Sequence, residues 1–206
     1  MDNTLQIKIE KIKSWLGSGT INIFGLPFSG KDTHGKELAL YFDGALIGGG
    51  DILRSSHGPE HIKKHISTGQ LAPTEEYLSI VLPFLKQEKF ANKPLILSSV
   101  GRWEGEEKSI LKATSESGHP TKAVLLLIVS TEESKRRWEL SERGRHDDQE
   151  EAVLRTRFNE FSEKTLPAIE KYREKGLLLE IDGKPAVQDV TEDIIDKLYT
   201  LANTKL

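Results

Sequence analysis

Cysteine is absent from the sequence, which excludes disulfides, thiolate nucleophiles and cysteine-ligated zinc. The six histidines are scattered without the spacing of a metal-ligand set, so a structural zinc site is not expected. Aromatic residues are few, at 7% against 30% charged, the balance of a soluble, helix-rich chain. Long apolar runs are missing too. None approaches the roughly 18 residues needed to cross a bilayer, and no membrane partner is expected. Met1 to Thr4 lack the basic start and apolar core of a secretory signal, which makes cytoplasmic residence the expectation. Neither sign of charge dominates: a formal net charge of −3 offers no general attraction to nucleic acid, so anion binding must come from local clusters. Two arginine-dense patches qualify, at 136–145 and 155–157. Repeats, low-complexity tracts and Pro/Ser-rich linkers are also absent. A chain of 206 residues then suits a single domain, 1–206, with a sizeable core.

Short apolar runs alternate with longer helical patterns, the signature of parallel strands joined by crossover helices. Strands are expected at 21–24, 45–47, 94–97, 123–129 and 177–181. Helices are expected at 31–41, 50–56, 104–116, 131–142, 149–175 and 187–201, with a pair within 58–90. The run AVLLLIV at 123–129 is apolar at every position, as a central strand covered on both faces would be. An amphipathic segment at 5–16 reads as an added helix packed against the sheet. The fold class is therefore α/β, a five-stranded parallel sheet with helices on both faces.

The stretch INIFGLPFSGKDTHGKEL, 21–38, runs from the first strand into a turn and then a helix. Gly25, four residues and Gly30-Lys31 have the spacing of a loop whose backbone N–H groups wrap phosphates. The helix N-terminus adds partial positive charge, and Lys31 supplies a point charge for the outer phosphates. The residue after the lysine is Asp32, with a hydroxyl only at Thr33, so the strict pattern fails by one position. Phe28 stands where such loops prefer small residues.

Further on come GGGDILR (48–54), GQLAPTEE (69–76), SSVGRWEGEE (98–107), RGRHDDQEEAVLRTRFNEFSEKTLPAIEKY (143–172) and IDGKPAVQDV (181–190). Together with the loop, in this order, they resemble the adenylate kinase family of nucleoside monophosphate kinases over about residues 20–200. In that family the loop reads Gly-x-Pro-Gly-x-Gly-Lys-Gly-Thr, which puts Thr33 in its place and leaves Phe28 and Asp32 as replaced glycines. The resemblance implies a P-loop kinase fold with an extra N-terminal helix at 1–18, acceptor-binding helices at 50–78 and a short lid at 142–149 without a zinc-bearing insert.

It also implies a set of site residues. Phe28, Ser29, Gly30, Lys31, Asp32 and Thr33 would take the phosphates of ATP. Arg137, preferred over Arg136, would stack on the donor base, which the loop at Lys184 would also touch. On the acceptor side the resemblance points to Arg54 and Arg102 for the phosphate and to Gly49, Gln70, Leu71 and Ala72 for the base. Glu106 stands where the family has a glutamine that reads adenine, and Ser98 where it has an aspartate. Asp51 would lie near the water shell of Mg²⁺. Lys31, Arg102, Arg143, Arg145 and Arg157 form the implied catalytic set, and Asp147 and Asp148 would hold lid arginines when the lid closes. The expected partners are ATP, with Mg²⁺, and a nucleoside monophosphate, AMP first, acting on a monomer. Gly49 and Glu106 keep another acceptor open, and Phe28, Asp32 and Ser98 keep open a nucleotide-binding protein without transfer activity.

Overall fold

The computed structural model describes residues 3–55, 60–141 and 150–204, with the backbone alone at 51, 54, 55, 60, 61, 63 and 66. Five parallel strands form one sheet: β1 (Thr20–Gly25), β2 (Ala45–Gly48), β3 (Leu95–Ser98), β4 (Thr121–Ile128) and β5 (Leu178–Asp182), in the order β2-β3-β1-β4-β5. All the expected strands are present. The apolar strand β4 is interior, as expected, although β1 rather than β4 occupies the middle of the sheet.

Ten helices surround the sheet among the described residues. They are α1 (Asn3–Leu16), α2 (Lys31–Phe42), α3 (Gly49–Ser55), α4 (Glu60–Ser67), α5 (Thr74–Leu85), α6 (Glu106–Glu116), α7 (Thr131–Glu139), α8 (Glu151–Glu160), α9 (Leu166–Glu174) and α10 (Val187–Thr204). A π-helical turn, Phe161–Thr165, joins α8 to α9. The expected helix at 131–142 ends earlier, at Glu139.

Strand alternation sends side chains to two cores. Ile21, Ile23, Ile96, Leu125 and Leu127 pack against α1, α2 and α10. Phe24, Val124 and Leu126 face the opposite layer with Ile169 and Tyr172 of α9. A third cluster joins Leu95 and Leu97 of β3 to Ile52, Ile62, Tyr77 and Val81 of α3–α5, so these helices share the sheet's own core. None of the described helices is long and apolar enough to cross a membrane.

Chain order sets where a ligand can enter. After β1 the chain turns to α2 on one face, whereas after β3 it turns to α6 on the other, which opens a crevice beyond the C-terminal ends of these neighbouring strands. Asn22 pins its floor: its Nδ2 donates to the Val100 carbonyl at 2.7 Å, and its Oδ1 accepts from Val100 N at 3.4 Å.

Candidate active site

The turn after β1 is held from behind. Lys31 Nζ donates to the carbonyls of Gly25 (2.9 Å) and Leu26 (2.6 Å) and approaches Ser29 Oγ at 3.5 Å. Ser134 Oγ donates to the Pro27 carbonyl, and Arg137 Nη1 to the Ser29 carbonyl at 3.3 Å. With these carbonyls drawn inward, the first-turn N–H groups of α2, which have no partner within the helix, converge on the crevice. Gly30, at φ 102°, makes the turn that a side chain would strain. Phe28 holds φ 59° without being glycine. Ser29 is buried under the loop and lines neither of the clefts described below.

Two clefts meet at this loop, and Phe28 and Gly30 line both. The first lies toward β2 and β3 and gathers Lys31, Asp32, Gly49, Gln70, Leu71, Ala72, Arg102, Glu106 and Arg157. The second lies toward α10 and gathers Thr33, His34, Arg136, Arg137, Gly183 and Lys184. The residues expected to meet the acceptor nucleotide, where their side chains are described, line the first cleft; of those expected to meet ATP, Thr33, Arg137 and Lys184 line the second, whereas Lys31 and Asp32 line the first. Arg143, Arg145, Asp147, Asp148 and the expected lid at 142–149 lie outside the described residues, as do the side chains of Asp51 and Arg54.

Arginines dominate the first cleft. Burial brings the Arg102 guanidinium down to about 10, and the neighbouring charge of Arg157 pushes the same way. Among the described residues Arg102 Nε is buried without a hydrogen-bond partner. The carboxylates of Glu160 and Glu106 offset part of the cost of burying this cation, and the unused Nε–H leaves a donor for an anionic ligand. Across the crevice a carboxylate is also present: Ser98 Oγ at the end of β3 donates to Asp32 Oδ1 at 3.0 Å.

The wall of the first cleft is tied together by Tyr77, Trp103, Lys164 and Glu160. The Tyr77 hydroxyl on α5 accepts from Gly101 N at 3.0 Å. A Cβ at Gly49 would stand 2.8 Å from the Ser99 carbonyl and 3.1 Å from that hydroxyl, so Tyr77 occupies the space a threonine there would need. Trp103 Nε1 donates to the Ala72 carbonyl at 3.2 Å, and Lys164 Nζ lies 4.3 Å from the centroid of the Trp103 ring. Glu160 joins this wall to α8 and the π turn: it accepts from Leu71 N (3.2 Å) and from Lys164 (2.6 Å).

Glu106 has a second task beside any contact with a base. Its Oε2 accepts from Arg102 N (2.7 Å) and Trp103 N (3.0 Å), closing the turn into α6. Its Oε1 meets no full hydrogen-bond geometry among the described residues, although the Thr74 side chain stabilises the carboxylate. Burial raises its pKa, against the backbone donors of Trp103 and Arg102 and the Thr74 side chain, which lower it.

Arg137 organises the second cleft. Its guanidinium donates to Glu133 Oε1 (2.7 Å), the Gly183 carbonyl (2.8 Å) and the Lys184 carbonyl (3.4 Å), besides the Ser29 carbonyl. With its N–H edge so engaged, the planar face is what remains for a base to stack on. Arg136 forks onto Glu133 at 2.8 Å through each of two nitrogens, more exposed than Arg137. The two arginines together hold the Glu133 carboxyl down to about 2. Tyr77 and the Asp32–Ser98 bond were missed at the level of sequence. A half-apolar pattern around Tyr77 gives no sign that its hydroxyl reaches position 101.

Residues 24–154 match a protein-family model described as an AAA domain. Curated relatives cover most of the chain. An adenylate kinase of Azobacteroides pseudotrichonymphae is 32% identical over 191 residues, 88% of this chain and 97% of that protein. One of Methanococcoides burtonii is 28% identical over 85% of this chain and 96% of its own length. One of Micrococcus luteus is 29% identical over 87% of this chain and 90% of its own length.

Proposed function

The chain belongs to the adenylate kinase family and is a nucleoside monophosphate kinase, and from that premise we propose that it transfers the terminal phosphate of ATP to AMP, forming two ADP. One observation carries the reading: two clefts of different lining meet at a single phosphate loop, with Lys31, Arg102 and Arg157 in the acceptor compartment. A donor nucleoside in the Arg137 cleft and an acceptor in the Arg102 cleft bring their phosphates together over Phe28 and Gly30.

An acceptor phosphate oxygen attacks the γ-phosphorus in line, and the bond to the β-phosphate oxygen breaks to release ADP. Negative charge spreads over the equatorial oxygens, so fixed cations and N–H dipoles supply most of the rate and no general base is required. Lys31 exchanges its loop carbonyls for phosphate oxygens. Arg102, with an unsatisfied Nε, and Arg157 hold the acceptor phosphate. Mg²⁺ keeps most of its waters and needs few protein ligands. The described group that fits it is the Asp32 carboxylate, which would accept from those waters. When bound with the triphosphate the ion would neutralise charge on its outer oxygens.

A second reading concerns the acceptor base. An ionised carboxylate only accepts hydrogen bonds, so Glu106 favours a base edge rich in N–H donors, guanine above adenine. The test offers ATP and Mg²⁺ with AMP, GMP, CMP or UMP and measures diphosphate formation. Fastest turnover with AMP is expected, fastest with GMP would favour the second reading, and no turnover with any acceptor despite ATP binding would sink both. Lys31→Ala is expected to cut turnover about a hundredfold or more while the fold persists.

A further inference from the structure

His34 is a buried imidazole in the wall of the donor cleft that the phosphoryl transfer does not use, 3% exposed. Its Nδ1 lies 2.9 Å from Thr191 Oγ1 on α10. The Thr191 hydroxyl in turn donates to Glu37 Oε2 on α2. A hydroxyl has one proton and a carboxylate only accepts, so toward His34 the threonine can only accept. Nδ1 therefore carries the imidazole proton, and Nε2 of the neutral ring presents a lone pair. Burial lowers the pKa of the ring and favours that neutral form, Arg137 acts in the same direction, and Glu37 opposes them.

The lone pair lies beneath the phosphate loop. A Cβ placed on Gly30 would stand 3.2 Å from Nε2, and Gly30 and His34 line the same cleft. Nε2 makes no hydrogen bond among the described residues. A phosphate oxygen, itself an acceptor, gains nothing beside it. Arg136 and Arg137 in this cleft already donate to Glu133 and to backbone carbonyls, whereas Nε2 is an acceptor with fixed direction.

We propose that His34 reads the donor nucleoside: with its tautomer locked by Thr191 and Glu37, Nε2 accepts a hydrogen bond from an N–H or O–H group of the bound nucleoside triphosphate. The donor is the exocyclic amine of the base or a ribose hydroxyl. This rests on the reading of the cleft as the ATP side. It deepens that reading by making the chain selective for the nucleoside as well as for its phosphates, through a residue that touches the donor away from the reacting atoms.

The test is ¹⁵N imidazole NMR of the full chain, titrated with a non-hydrolysable ATP analogue and Mg²⁺. The free protein is expected to show His34 as the Nδ1–H tautomer, with Nε2 at a lone-pair position that shifts in the hydrogen-bonded direction on binding and does not move with AMP alone. The same titration with analogues lacking the 2′-hydroxyl, the 3′-hydroxyl or the 6-amino group identifies the donor by which one fails to shift Nε2. In kinetics, His34→Leu raises KM for ATP about tenfold, the worth of one hydrogen bond, with KM for the acceptor unchanged. His34→Gln, which keeps an acceptor at the Nε2 position, restores most of it. An Nε2–H tautomer in the free chain overturns the proposal. So does an Nε2 resonance that stays still while the Gly30 and Lys31 amides report binding. A chain in which those amides also stay still overturns the reading of the cleft and the proposal with it.

Discussion

Phe28 keeps a left-handed backbone, φ 59°, at a position where glycine would cost nothing. Such a conformation costs an L-residue about 1–2 kcal/mol, and strain of this kind persists where the surroundings over-determine it, most often at functional sites. The ring lines both clefts at their junction, where it can keep water from the transferring phosphate. Phe28→Gly is therefore expected to change stability by about 1 kcal/mol or less, relief of strain offsetting lost contacts, and to raise ATP hydrolysis without an acceptor. Phosphate release measured with ATP alone checks this, and an unchanged rate removes the ring from the mechanism. Glu106 makes the second argument at this scale. Glu106→Gln keeps an oxygen for Arg102 N and Trp103 N and replaces the other carboxylate oxygen, Oε1, with an amide donor. KM for AMP is expected to fall about three- to tenfold, the net worth of a hydrogen bond. Steady-state kinetics against AMP and GMP reads the change directly. Residue type and order were enough to nominate Lys31, Arg102, Arg137 and Arg157. The partners of Asp32 and Tyr77 lie on other elements, 66 and 24 residues away, and no local pattern encodes such meetings.

At the scale of elements, α1 shows how structure and catalysis divide. Ile9, Ile12 and Leu16 recur at helical spacing and bury themselves with Val190, Ile194 and Leu198 of α10 on the face of the sheet that carries α2. Ion pairs from Lys8 to Asp196 and from Lys13 to Asp43 lie at its exposed edges and add little. Ile12→Ala leaves a cavity in a fully buried position and should cost about 2–5 kcal/mol. Turnover per folded molecule should stay near normal, because α1 lines neither cleft. Denaturant unfolding and a kinetic assay below the transition together test it; lost turnover in a folded variant would give α1 a functional part. The π turn between α8 and α9 is the contrasting case. It carries Lys164, and Glu160 just before it, into the wall of the first cleft, a widened turn inside a helical stretch that runs on without a break, as periodicity at 149–175 expects.

For the whole molecule the decisive feature is that the two clefts share one loop. Ligands that bind only the folded state stabilise it by mass action, about 2.7 kcal/mol at a hundred times Kd. For a chain of this length that is a rise in Tm of about 5–10 °C. A bisubstrate analogue, two nucleosides joined through a polyphosphate, should raise Tm more than ATP or AMP at equal free concentration, because filling both clefts at once lowers its Kd. In Lys31→Ala most of the shift should vanish. Equal shifts for the analogue and ATP in thermal unfolding would mean that the clefts are not occupied together.

The sequence by itself determined the strands, their alternation with helices, the loop between β1 and α2 and the list of cationic residues. These follow from local periodicity and from residue types within a few positions of one another. Only the tertiary structure decided that Arg102 and Arg157 share a pocket, that Ser98 donates to Asp32, that Tyr77 fills the space beside Gly49, and that Thr191 and Glu37 orient His34. Hydrogen-bond direction and the desolvation of charge depend on which distant segments the sheet order brings together.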